Sequence, residues 1–135
     1  MGRALIEAVS QSGDMRLSAA LDRPGSAFLG KDAGELVGAP CGVTVTDDID
    51  AALKGAHALI DFTRPEGTLA HLAVCRELGV QAVIGTTGFS DAQKAEIAEI
   101  AKDIAIVMAP NMSVGVNVTF KLLEMAAKAL STGYD

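Results

Sequence analysis

Tryptophan is missing from this 135-residue chain, tyrosine occurs once and phenylalanine four times. A core with so few rings must be filled by Ala, Val, Ile and Leu. Half of the residues are apolar, enough for a single domain to bury a real interior. Long apolar runs are lacking as well. Stretches such as "AIVMAP" fall far short of the ~20 residues needed to cross a bilayer, so a soluble protein without a membrane partner is expected. Clusters of Lys or Arg do not occur, and 17 acidic against 11 basic residues leave a formal charge of −6. The basic footprint that draws a protein to nucleic acid or anionic lipid is therefore missing. Cysteine is scarce: Cys41 and Cys75 have neither metal-ligand spacing nor a secretory framework and read as reduced thiols of a cytoplasmic protein. The two histidines, His57 and His71, have no acidic or second-histidine neighbour at metal or triad spacing. They read as surface or internally satisfied side chains, and no metal site is expected.

Glycine, in contrast, is plentiful, with 14 residues, as suits many tight junctions between packed layers. Leu5, Ala8 and Val9 fall at helical spacing behind Met1, and Gly13 is placed to end that helix in the left-handed conformation. "MRLSAAL", from Met15 to Leu21, reads as a strand that ends at Asp22, before the turn at Pro24 and Gly25. Residues 23 to 42 carry five glycines with weak periodicity, read as the most mobile loop, with one helical turn around Ala33 to Val37. "GVTVT" reads as a strand, and Thr46 or Asp47 as the cap of a brief helix stopping at Gly55. "HALIDF" is nearly continuous apolar sequence, as expected for a strand covered on both faces, interrupted by Asp61 near its carboxyl end. A helix over Thr68 to Leu78, stopped by Gly79, leads to the strand "VQAVIG". Ser90 and Gln93 form a capping box for a helix to about Lys102. "DIAIVM" is the next strand, and a last helix from about Ser113 carries Val114, Val118, Leu122 and Ala126 along one stripe.

This alternation predicts an α/β fold with right-handed crossovers and a parallel, doubly wound sheet. Such folds start with a strand, whereas here a helix comes first, so a first strand is expected to be absent from the sequence. Ligands of open parallel sheets sit beyond the carboxyl ends of the strands, and four of those ends are unusual. Asp22 lies where the second strand of a dinucleotide-binding unit places its acidic residue, about 20 residues beyond the glycine loop; equally, it is a good first residue for a turn. A 2′-phosphate brings about −1.5 to −2 charges against Asp22, whereas the Arg23 guanidinium can clasp it in bidentate fashion. The pair predicts tolerance of NAD and NADP with a lean towards NADH. In "IDFTRPEG", Phe62, Thr63 and Arg64 offer an aromatic face and a guanidinium to adenine or diphosphate, with Thr63 equally suited to cap the next helix. In "VIGTTGF", Gly85 allows close backbone approach to a ligand, Thr86 and Thr87 offer hydroxyls and amides, and Gly88 relieves the turn. In "MAPNMSVGVN", Ala109, Pro110, Asn111 and Met112 lie before a helix N-terminus, suited to a carboxamide or an anionic substrate; Asn111 also suits a plain cap.

The order and spacing of "MGR", Asp22-Arg23, "DFTRPEGTLAHL", "VIGTTGF" and "NMSVGVNV" closely resemble the N-terminal, nucleotide-binding part of the bacterial dihydrodipicolinate reductases. The resemblance covers all 135 residues and implies a Rossmann-type fold. Members of that family open with a strand and a loop ending Gly-Arg-Met-Gly-Arg. Met1, Gly2 and Arg3 match its last three residues, which implies an interior Met1, with the first strand and most of the glycine loop outside the sequence. The resemblance gives Met1 a loop contact, Asp22 and Arg23 the adenosine end, Gly85 to Thr87 the nicotinamide side and Ala109 to Met112 the pocket floor. It implies NADH- or NADPH-dependent reduction of a cyclic dicarboxylate in lysine and diaminopimelate biosynthesis, by a cytoplasmic homotetramer. The family's His-His-x-x-x-Lys stretch, on a substrate domain, finds no match here, so the 135 residues alone are expected to be inactive. A non-catalytic nucleotide-sensing domain and a receiver-like module phosphorylated on Asp61 are the rival readings, and the latter lacks the Lys expected where Ala109-Pro110 stands.

Overall fold

Helix and strand alternate through residues 1–132, the part of the chain that the computed structural model describes. Helix α1 spans Gly2–Gln11, strand β1 Ala20–Leu21, a 3-10 turn Ala33–Val37, β2 Val45–Thr46 and α2 Ile49–Leu53. Then follow β3 Ala58–Asp61, α3 Pro65–Leu78, β4 Gln81–Ile84, α4 Asp91–Ile100, β5 Ile106–Met108 and α5 Val114–Ala129. No helix among the described residues is long and apolar enough to cross a membrane.

All strand pairs are parallel, as the alternation requires, but they form two sheets, β1-β2 and β3-β4-β5. The apolar segments are longer than the ladders: residues 15 to 19 precede β1 with no ladder partner. Hydrogen bonds to a neighbour, not apolar content, set where a strand begins. β1 and β3 each have one paired edge, and both line a cavity of about 520 Å³ roofed by Leu5, Ile6 and Val9 of α1.

The main core lies around β4, whose Ala82 and Ile84 are buried with Leu72 and Cys75 of α3, Phe89, and Ile97 and Ile100 of α4. A smaller core joins Ile6, Ala33 and Val45. Burying a side chain of the size of Leu72 contributes about 1.5–3 kcal/mol, and Leu72 is fully buried. Gly79 takes the left-handed conformation at the end of α3, and Ser90 and Gln93 make both bonds of the capping box on α4.

Two helix-end expectations are corrected. Helix α1 ends at Gln11 with Ser12 extended, and Gly13 is not left-handed. Asp48, not Thr46 or Asp47, caps α2 by accepting from the Ala51 amide, because Thr46 is still paired in β2 and its hydroxyl accepts from the Asp48 amide. Residues 23 to 42 are folded on Asp32, whose carboxylate accepts from the amides of Gly34, Cys41 and Gly42. Gly34 is packed against the Ala39 carbonyl and the Cys41 amide with no room for a Cβ. The apolar stripe of α5 faces solvent, because none of the helix is buried.

Candidate functional site

The register of β3, β4 and β5 opposes Asp61 to Ile84 and Ile84 to Met108. The segments that follow, Phe62–Arg64, Gly85–Thr87 and Ala109–Met112, therefore leave the sheet from one edge. Backbone bonds extend the ladder just past its end: the Gly85 amide donates to Asp61 O at 2.8 Å and the Ala109 amide to Ile84 O at 3.2 Å. Three of the four strand ends singled out in the sequence are thus brought side by side.

A buried polar network underlies the first two. The Asp61 side chain is 1 % exposed, and its carboxylate accepts from the Thr63 amide at 2.8 Å, from His71 Nδ1 at 2.7 Å and from the Thr86 hydroxyl at 3.4 Å. Burial pushes this carboxyl up, but the bonds from His71 and Thr63 more than offset it and hold Asp61 below the usual carboxylate range. The Thr68 hydroxyl donates to Thr86 Oγ1 at 2.9 Å and lies 3.4 Å from Thr63 Oγ1.

This geometry adds internal roles to two residues of the expected site. The Phe62 ring occupies the space of a would-be Cβ on Gly85, which gives glycine there a packing reason as well as the close ligand approach expected from the sequence. The Thr86 hydroxyl is buried and engaged internally, whereas Thr87 is exposed. Among the described residues neither the Thr86 nor the Thr87 amide donates to another group of the chain. Gly88 is left-handed, with φ of 89°, as the turn demands. His71, set aside on sequence grounds, is bound to Asp61. The signal was its phase: Thr68, His71, Leu72 and Cys75 form one stripe of α3, and the other three are fully buried.

Thr63 does not cap α3; Arg64 occupies that position without a side-chain bond and is exposed. Asp22 follows β1, and both of its carboxylate oxygens are used locally, accepting from the Arg23 amide at 2.8 Å and the Ser26 hydroxyl at 2.5 Å. It is thus a turn-former in this structure, with the Arg23 side chain exposed beside it. Asn111 Oδ1 accepts from the Ser113 amide at 2.8 Å and Ser113 in turn caps α5, so Asn111 shapes the approach to the helix. Met112 is 40 % exposed and Met1, at the start of α1, is 69 % exposed. The cavity links the two sheets at this edge, lined by Leu21 on one side and Asp61, Thr63 and His71 on the other.

Residues 1–112 match the family model described as "Dihydrodipicolinate reductase, N-terminus". Over all 135 residues the chain is 63% identical to the 4-hydroxy-tetrahydrodipicolinate reductase of Nitrosospira multiformis and 66% identical to that of Cupriavidus pinatubonensis. It covers 50% and 51% of those proteins, and so spans about half the length of the curated relatives it matches. Among solved structures, the dipicolinate-bound dihydrodipicolinate reductase of Paenisporosarcina sp. TG-14 superposes with a TM-score of 0.73 at 25% identity, over 94% of this chain and 50% of that one. The parallel strand order and this likeness make the fold Rossmann-type.

Proposed function

The chain belongs to the dihydrodipicolinate reductase N-terminal family, and on that premise we propose that residues 1–135 are a dinucleotide-binding domain, the NADH- or NADPH-binding part of a 4-hydroxy-tetrahydrodipicolinate reductase. The carrying observation is the edge formed by Phe62–Arg64, Gly85–Thr87 and Ala109–Met112. A nicotinamide dinucleotide suits it. The partnerless Thr86 and Thr87 amides and the backbone of Ala109 to Met112 supply donors and acceptors for a carboxamide, and the exposed Arg64 guanidinium suits the diphosphate. Asp22 and Arg23 take the adenosine end and Met1 a loop contact. When bound, the nucleotide supplies the hydride that reduces a cyclic dicarboxylate to tetrahydrodipicolinate in lysine and diaminopimelate biosynthesis.

No His-His-x-x-x-Lys stretch stands among the 135 residues. The proposal therefore assigns proton delivery to groups outside the chain, and the 135 residues alone do not turn over. The assembly it assigns to the intact enzyme is a cytoplasmic homotetramer. The test is a titration of NADH and NADPH into the natural gene product that carries this chain, followed by a reductase assay with the cyclic dicarboxylate. Saturable binding of either nucleotide with turnover is the expected result; no binding of either overturns the reading.

A further inference from the structure

Asp61 is acceptor-only when ionised, and every polar group around it points a proton inwards. The Thr86 hydroxyl gives its one proton to Asp61 and therefore accepts from Thr68. Thr68 has then spent its own proton, and the Thr63 hydroxyl, 3.4 Å away, also lies 3.5 Å from the Arg64 carbonyl, to which it donates. The hydroxyls of Thr68 and Thr86 thus form one directed relay ending on the carboxylate, while the Thr63 amide reaches the same carboxylate directly. His71 closes the arrangement. Facing an ionised carboxylate at 2.7 Å, its Nδ1 carries the proton, and the residue also lines the cavity.

We propose that Asp61 and His71 act as a positioning pair for the nucleotide edge: His71 anchors the buried carboxylate, and the carboxylate fixes the turn at Thr63 and the turn at Thr86 in one relative arrangement. The inference rests on the functional reading above, because those two turns are the ones assigned to the nucleotide. Its physical basis is that a buried carboxylate deprived of its nearest donor must be re-satisfied. Without His71, Asp61 either takes up a proton, which makes it a weaker acceptor, or turns away, and both weaken the 3.4 Å bond from Thr86, the longest in the set. The Thr86 and Thr87 amides then lose their fixed aim. The His71 side chain is 14% exposed, so an apolar replacement does not place a large cavity in the core.

The experiment uses the natural gene product that carries this chain, with His71→Leu and His71→Asn; the asparagine amide returns an N–H close to the place of Nδ1. Loss of one bond to a charged group corresponds to about a tenfold change. His71→Leu is therefore expected to raise the KM for NADH about tenfold with kcat little changed, and His71→Asn to restore most of it. A merely structural role would instead lower the melting midpoint and kcat together and would not be rescued by asparagine. An unchanged KM in His71→Leu, or His71→Asn no better than leucine, overturns the pairing while leaving nucleotide binding intact. Absence of NADH and NADPH binding by the parent protein defeats both readings together. If His71→Leu does not fold, the ring nitrogen resonances of His71 in the parent decide. They must shift during NADH titration with the midpoint of binding, and resonances that stay still at saturation refute the proposal.

Discussion

The Phe62 ring lies where a Cβ on Gly85 would stand, so the turns after β3 and β4 touch through a residue that has no side chain. Gly85 is not in the left-handed region, hence alanine meets no backbone obstacle there and its cost is purely steric. Gly85→Ala is expected to destabilise the protein by about 1–3 kcal/mol, the range for overpacking a filled site, read from denaturant unfolding midpoints. Phe62→Leu in the same background should recover part of that loss, since residues in contact are not additive. An alanine variant with the parent midpoint would show that the ring moves aside freely.

The two thiols should behave oppositely. Cys75 is fully buried, and burial together with the nearby Asp61 charge pushes its pKa up to about 11. At pH 8 roughly one part in a thousand is thiolate, the reactive form. Cys41 is exposed. An aromatic disulfide reagent should therefore label one thiol quickly and the second only after denaturation. Two fast equivalents in the folded protein would contradict the packing of α3 on β4.

What the sequence could disclose was whatever is decided within a few residues. The Ser90–Gln93 box and the Gly79 stop are local geometry, and both stand where the spacing puts them. Alternation of apolar segments with helices was enough for a parallel sheet, because parallel strands need crossovers. Strand lengths were not legible, since a ladder ends where its partner ends: seven residues were read as a strand where only Ala20 and Leu21 are paired. The cap of α2 shifted from Thr46 or Asp47 to Asp48 for the same reason. Asp61 and His71 stand ten residues apart and meet only after β3 turns into α3. Residues 23 to 42 looked loose because their order comes from one carboxylate, Asp32, gathering amides as far as Gly42.

That carboxylate carries a pH signature. Amide bonds, that of Cys41 foremost, with those of Gly42 and Gly34, hold the Asp32 pKa down from the ordinary 3.8 to about 2. A pKa depressed by folding means stability that is present above the unfolded value and is lost as pH falls from about 3.8 through about 2. Asp32→Asn keeps a single acceptor oxygen for three amides and should lower the melting midpoint at neutral pH. The gap between parent and variant should narrow on acidification across that interval, followed by circular dichroism. A gap that is constant from neutral pH to pH 2 would remove Asp32 from the acid response.

Cofactor choice depends on Arg23 if the adenosine end lies beside β1. Both Asp22 oxygens are held by the Arg23 amide and Ser26, so the carboxylate is fixed in place and its charge repels a 2′-phosphate wherever the ribose lies near it. The exposed Arg23 guanidinium is the group able to offset that repulsion. At an exposed position such a charge contact contributes about 1 kcal/mol, because water and salt screen it. Arg23→Ala should therefore weaken NADPH about fivefold while leaving NADH nearly unchanged, and the difference should shrink in high salt. Parallel titrations of the two nucleotides check this. Equal losses for NADH and NADPH would mean that Arg23 meets a part common to both, such as the diphosphate, and would move the adenosine end away from the turn that follows β1.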